Sequence, residues 1–191
     1  VIAYGKVAPF IATLATMTIY RGLTLVYTNG NPISGLSDDP LFQNFGQGFI
    51  MGLPVPALIM LLAFAVSWFI LRKTPLGRKI YAVGGNEKVS FIAGIKIERV
   101  KIFVYAITGF FCALAGAVLT SRLNSAQPTA GTGYELDAIA AVVLGGTSLS
   151  GGKGYITGTL VGVLIIGTLN NGLNILDVSS FYQQVVKGIV I

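Results

Sequence analysis

Four mostly apolar runs of membrane-crossing length constrain this sequence more than any other feature. A helix needs roughly 20 residues to cross the hydrocarbon core of a bilayer, and within lipid only helices or closed barrels satisfy their own backbone. Residues 7–27, 54–71, 102–120 and 155–176 have that length and character. Residues 181–191 read as the first half of a further span. The run 138–149 is also apolar, but it covers only about two-thirds of a crossing and has glycines on both sides. The expected fold is an all-α, polytopic transmembrane helix bundle with one short re-entrant or broken helix.

Composition excludes the main alternative. Only 10% of the residues are charged and 53% are hydrophobic, whereas a soluble domain carries about 25% charged residues. There is no histidine, and Cys112 is the single cysteine. Disulfide frameworks, Cys/His zinc sites and histidine acid–base chemistry are therefore absent, so neither a metal site nor a catalytic residue is expected. Cys112 lies between Phe111 and Ala113 in an apolar run and reads as a packing residue. The chain begins at Val1 without methionine and stops at Ile191 inside an apolar stretch. Residues 1–191 are thus expected to be a fragment of one transmembrane domain, and the opening segment lacks the pattern of a signal peptide.

Charge gives the orientation, because cytoplasmic loops hold the excess of Lys and Arg. Residues 72–101 contain Arg72, Lys73, Arg78, Lys79, Lys88, Lys96, Arg99 and Lys101, eight of the thirteen basic residues. Segments 28–52 and 123–152 contain none and carry Asp38, Asp39, Glu135 and Asp137. Segment 72–101 is therefore expected inside and the other two outside. The net charge of +6 then reflects a basic surface beside anionic lipid and does not call for a nucleic-acid partner. Lys6 starts the first span inside. Lys153 implies that 138–149 returns inward, so that 155–176 re-emerges with Asn170, Asn171 and Asn174 near the outer face.

Several local patterns point further. Gly154, Gly158 and Gly162 recur every four residues, which places them on one helix face where another backbone can approach. Gly109, Ala113 and Ala117 repeat the pattern in the preceding span. Both read as helix-packing faces. The run GGTSLSGGKG, 145–154, fails the P-loop pattern: Thr147 stands where glycine is required, and Gly154 follows the lysine. It reads as a flexible break between membrane elements.

In the cytoplasmic segment, Asn86 suits an N-cap, Glu87 complements a helix N-terminus and Gly94 can close the C-terminus. A helix of about two turns, roughly 12 Å, follows, with Val89, Ile92 and Ala93 on one stripe. Pattern alone leaves docking on a soluble partner and packing beneath the bundle equally open.

Outside, Asn124, Ser125, Gln127, Tyr134, Glu135 and Asp137 supply the amides, hydroxyls, aromatic and carboxylates that bind sugars, and are candidates for a translocation path. Glu135 and Asp137 equally suit the N-terminus of the short helix. Asn170, Asn171 and Asn174 join the candidates. So does Arg21, which either faces a cavity or reaches for the external interface about two turns away.

These residues carry a family resemblance. Segment 78–87 (RKIYAVGGNE), with Gly94-Ile95, resembles the coupling loop of monosaccharide importers of the ATP-binding-cassette type. Segments 125–128 and 131–154 resemble the second signature of those permeases, and 10–14 and 26–30 are most similar to the members that carry ribose. The resemblance covers essentially the whole chain; by comparison with the family, an N-terminal third and a C-terminal tail are lacking.

It implies a multi-pass protein of the bacterial inner membrane that pairs with a second permease subunit, as a homodimer. Sugar would arrive from an extracytoplasmic binding protein, and a cytoplasmic ATPase would bind ATP and Mg. Gly84, Gly85, Asn86, Glu87, Lys88, Val89, Ile92, Ala93 and Gly94 would then form the coupling helix. Family members often have alanines where Lys88 and Val89 stand. Galactose, xylose or a furanosyl signalling molecule are alternative cargoes. An ion-gradient-driven transporter is the rival from another class, although no acidic residue lies within the four full spans.

Overall fold

The computed structural model describes residues 1–35, 40–179, 182, 183, 185, 186 and 188. Asp38 and Asp39 lie outside the described residues, as does part of the expected half-span 181–191, whose five described positions are helical. In chain order the elements are α1 (Ile2–Gly5), α2 (Pro9–Thr28), β1 (Ile33–Ser34), α3 (Pro40–Gln47), β2 (Phe49–Ile50), β3 (Leu53–Pro54) and α4 (Val55–Lys73). They continue with α5 (Pro75–Gly85), α6 (Glu87–Ile92), α7 (Ile97–Leu123), β4 (Ser125–Ala126), α8 (Tyr134–Leu144) and α9 (Ile156–Ile175).

Helices α2, α4, α7 and α9 are long and apolar enough to cross a membrane, and they coincide with the four expected spans. The protein is a multi-pass helical membrane protein. The spans keep most of their apolar side chains outward, with Phe10, Leu62 and Phe110 all more than half exposed, as suits helices whose surroundings are hydrocarbon. Trp68 and Lys73 mark the basic end of α4, where the ammonium lies 5.8 Å from the indole centroid; aromatic and basic residues anchor helix ends at the headgroup level.

Hydropathy misplaced some boundaries. The third span runs from Ile97 to Leu123, not from 102 to 120. At about 40 Å it exceeds the hydrocarbon thickness, because a helix does not end where lipid does. Its first turns carry Glu98, Arg99 and Lys101. The short helix starts at Tyr134 and ends at Leu144, earlier than the expected 138–149. Glu135 and Asp137 lie in its first turn, where carboxylates favour the helix N-terminus, and Gly146, at φ 83°, breaks it. It is about 17 Å long, too short to span a bilayer.

The fold consists of two compact units, residues 1–66 with 91–130, and residues 67–90 with 131–191. In the first, α3 packs on the C-terminal end of α7. A Cβ on Gly46 would lie under 3.0 Å from the Arg122 amide nitrogen and the Ser121 side chain, so only glycine fits. The Ser121 hydroxyl donates to the Phe42 carbonyl, and Gln47 donates to the Arg122 carbonyl at 3.2 Å. Helix α3 lies in a segment expected to be loop. A two-pair ladder, Ile33 with Ala126 and Ser34 with Ser125, holds the connections after α2 and α7 together.

In the second unit, α8 and α9 form an antiparallel hairpin around Ala140, Ala141 and Ile166. Gly158 and Gly162 of α9 face the Gly145 and Ala141 carbonyls of α8, each so close that a Cβ would lie under 3.0 Å away. The four-residue periods of both helices interlock.

Candidate functional site

The basic segment between α4 and α7 is a chain of short, individually capped helices. Thr74 forms the elbow between α4 and α5: its hydroxyl donates to the Ile70 carbonyl at 2.6 Å and accepts from the Gly77 amide at 3.3 Å. Pro75 at the first helical position needs no amide partner. Gly77 sits against the Leu71 and Ile70 carbonyls, where a Cβ would clash.

Asn86 alone separates α5 from α6. Its amide donates to the Ala82 carbonyl at 3.0 Å, closing α5, and its side-chain oxygen accepts from the Val89 amide at 3.1 Å, opening α6. Glu87 lies in the first turn. Gly94, at φ 80°, follows the end of the helix and donates to the Phe91 carbonyl at 2.9 Å. Val89, Phe91 and Ile92 are 60%, 69% and 84% exposed, and Lys88 and Ala93 are also exposed. An apolar surface of this kind on a short, rigidly capped helix is suited to contact with another molecule. None of the described residues covers this surface.

Expectations for two segments need correction. The short helix is Glu87–Ile92, about 9 Å long rather than 12. Gly84 and Gly85 end α5, a helix the sequence reading did not find. That reading looked for apolar runs, and α5 (PLGRKIYAVGG) shows instead a Thr-Pro start and a glycine end.

The second correction concerns 145–154, which is not a flexible break. The Ser148 amide donates to the Lys153 carbonyl at 3.0 Å, the Gly151 amide to the Ser148 carbonyl at 3.1 Å, and the Ser150 amide to the Ser148 hydroxyl at 3.2 Å. Gly151 and Gly152, at φ 82° and 73°, adopt a backbone that L side chains rarely take. They rest directly on Gly84 and Gly85. A Cβ on Gly152 would lie 2.7 Å from the Gly85 Cα, and one on Gly84 would lie 3.0 Å from the Gly152 nitrogen. The Tyr81 hydroxyl donates to the Gly154 carbonyl at 2.9 Å. Gly154 therefore does not continue the helical face of Gly158 and Gly162. It precedes α9 and faces Thr147, and the face runs through Gly158, Gly162, Ile166 and Asn170 instead.

The structure brings only some of the polar path candidates together. Asn170 donates to Asp137 at 3.3 Å, one step beyond the Ala141–Gly162 contact on the same seam. Asn174 accepts from Gln183 at 2.8 Å, and Asn171 is exposed. Glu135 accepts from the Gly133 amide at 3.1 Å, and Tyr134 is exposed. In the first unit, Asn124 takes a left-handed conformation, φ 51°, as the C-cap of α7, a role asparagine tolerates better than other L residues. Ser125 pairs with Ser34, and Gln127 is exposed. Arg21 is half-buried on α2. The side-chain oxygens of Asn124 and Asn170 are buried without a partner among the described residues.

Gly109, Ala113 and Ala117 meet no described helix in the way Gly158 and Gly162 do. Gly109 and Ala113 are exposed, and a Cβ on Gly109 would have nothing within 4 Å.

Comparison with known proteins adds to this geometry. The sequence profile described as branched-chain amino acid transport system / permease component matches residues 1–191. The chain is 70% identical over 190 residues to the ribose import permease protein of Bacillus subtilis (strain 168), covering 100% of this chain and 59% of that protein. It is 60% identical to the ribose import permease protein of Haemophilus influenzae and 56% identical to that of Escherichia coli (strain K12), in each case covering 100% of this chain and 60% of the relative. The chain thus spans 59–60% of the length of these relatives. No solved structure matches it.

Proposed function

As the chain belongs to the branched-chain amino acid transport system / permease component family, we propose that it forms part of the membrane-spanning subunit of an ATP-binding-cassette importer that carries a monosaccharide, ribose. The observation that carries the proposal is α6, whose caps hold Val89, Phe91 and Ile92 outward on the basic side of the membrane. A cytoplasmic ATPase, with ATP and Mg on that partner, docks there, and Lys88 lies at the rim of the contact. The 70% identity to a ribose import permease protein supports ribose as cargo ahead of galactose, xylose or a furanosyl signalling molecule.

Residues 1–191 act as part of a single membrane domain in the bacterial inner membrane, paired with a second copy of the subunit. An extracytoplasmic binding protein delivers the sugar. The path is lined by polar groups that exchange hydrogen bonds with sugar hydroxyls. Asn170 and Asn124 supply buried acceptors with a free oxygen, and Asp137 is held by Asn170 at the outer end of the α8–α9 hairpin. Arg21, Ser125, Gln127, Tyr134, Glu135, Asn171 and Asn174 are further candidates along it. ATP-driven closure of the ATPases displaces α6, and the packed helices rock in response.

The test reconstitutes the permease subunit containing this chain, with its ATPase and binding protein, in proteoliposomes and follows uptake of labelled ribose. ATP-dependent uptake is expected in the wild type. Ile92→Asp places a charge on the docking surface and is expected to abolish uptake while membrane insertion persists. Uptake of a different sugar would change the cargo alone. Uptake indifferent to ATP and driven by an ion gradient would overturn the assignment.

A further inference from the structure

The sequence motifs 78–87 and 145–154 lie more than fifty positions apart, yet they meet backbone to backbone. Four glycines make this possible: Gly84 and Gly85 at the end of α5, and Gly151 and Gly152 in the loop before α9. At three of the four, a methyl group would lie 3.0 Å or less from the opposing backbone. Contacts of this kind are stiff, because no side chain lies between the two segments to change rotamer and absorb a displacement.

The parts on either side are equally braced. Asn86 closes α5 and caps α6 with the same residue, so a push on α6 passes through one residue to Gly85. The loop is cross-linked by its own hydrogen bonds at Ser148, Gly151 and Lys153. Behind it, Gly145 and Gly158 lock α8 to the first turns of α9. A side-chain hydrogen bond crosses the seam, from the half-buried Tyr81 hydroxyl to the Gly154 carbonyl, two residues before α9 begins.

We propose that Tyr81, with the glycine seam beside it, is the positioning residue that transmits movement of α6 to the α8–α9 hairpin. The glycines carry compression: when α6 is pushed inward, Gly84 and Gly85 press on Gly151 and Gly152 and the loop moves as a unit. Tyr81 carries tension: when α6 is withdrawn, its hydroxyl draws the Gly154 carbonyl, and α9 with it, back toward α5. Glycine contacts alone cannot pull. Without the hydroxyl, α6 still docks and still moves, but the return of the hairpin is no longer tied to it. The seam also joins the cytoplasmic contact surface to the Asp137–Asn170 pair at the other end of the same hairpin, along the ladder Gly145–Gly158 and Ala141–Gly162. This inference rests on the importer assignment.

The experiment compares wild type with Tyr81→Phe in the complete reconstituted system, with three readouts: co-purification of the ATPase, ATP hydrolysed, and ribose taken up. Tyr81→Phe keeps the ring and removes only the hydroxyl. The ATPase is expected to bind and hydrolyse as before, while the ATP consumed per ribose rises about fivefold, the change that losing one ordinary hydrogen bond from a coupled equilibrium produces. An unchanged ratio in an ATP-driven wild type would overturn the role of Tyr81 and leave the importer assignment standing. Loss of ATPase binding in Tyr81→Phe would overturn it too, because Tyr81 would then belong to the docking surface. Wild-type uptake that ignores ATP would sink the assignment and this inference together.

Discussion

On α9, Gly158 and Gly162 lie so close to the carbonyls of Gly145 and Ala141 that no side chain fits between them. On α7, Gly109 and Ala113 have the same four-residue spacing, yet they are exposed, and a Cβ on Gly109 would meet nothing within 4 Å. The two faces differ little in sequence. They differ in what stands opposite: α8 brings its own small residues at a matching period, and no described helix does so for the α7 face. A run of small residues is therefore permission for close approach, and a second surface must use it.

The largest expected effect separates these two faces directly. Gly162→Leu forces a branched side chain into the Ala141 backbone and should cost about 3 kcal/mol, at the upper end for overpacking. Gly109→Leu should change the stability of the isolated subunit by no more than about 0.5 kcal/mol. Denaturant titration of the purified subunit in detergent measures both, and equal losses would remove the distinction. A smaller loss, about 2 kcal/mol, is expected for Gly46→Ala, where the new methyl meets Ser121 and Arg122. The readout is faster proteolysis of α3, because its docking on α7 depends on that contact.

The smallest effect probes the Asp137–Asn170 end of the hairpin. Asn170→Ala removes the hydrogen bond to Asp137 and should cost about 0.6 kcal/mol, the mean for polar contacts between membrane helices. Asn171→Ala, one residue along and exposed, should cost nothing measurable. If both variants lose ribose uptake equally, α9 presents two polar faces to the solute. If only Asn170→Ala does, the seam side lines the path.

The candidate site was only partly legible in the sequence. The α6 caps were readable because Asn86, Glu87 and Gly94 act on their own neighbours, within one or two turns. Phe91 was passed over because the stripe was counted at helical spacing from Val89, and in a helix of six residues almost every outward position is exposed. Helix α3 was hidden for a related reason: its stability comes from Gly46, Gln47 and Phe42 meeting the end of α7, and nothing within PLFQNFGQ announces that partner.

The four spans followed from the sequence alone. Burial of apolar surface in lipid and the cost of moving Lys and Arg across it are decided by local composition, whatever the helices later touch. The family resemblance was legible in the same way. Only the tertiary structure decided which glycines meet. Gly84 and Gly152, Ala141 and Gly162, Tyr81 and Gly154, and Asp137 and Asn170 are distant in the chain, and each contact is specified by two complementary surfaces. A periodicity within one segment describes one of those surfaces and cannot name the other.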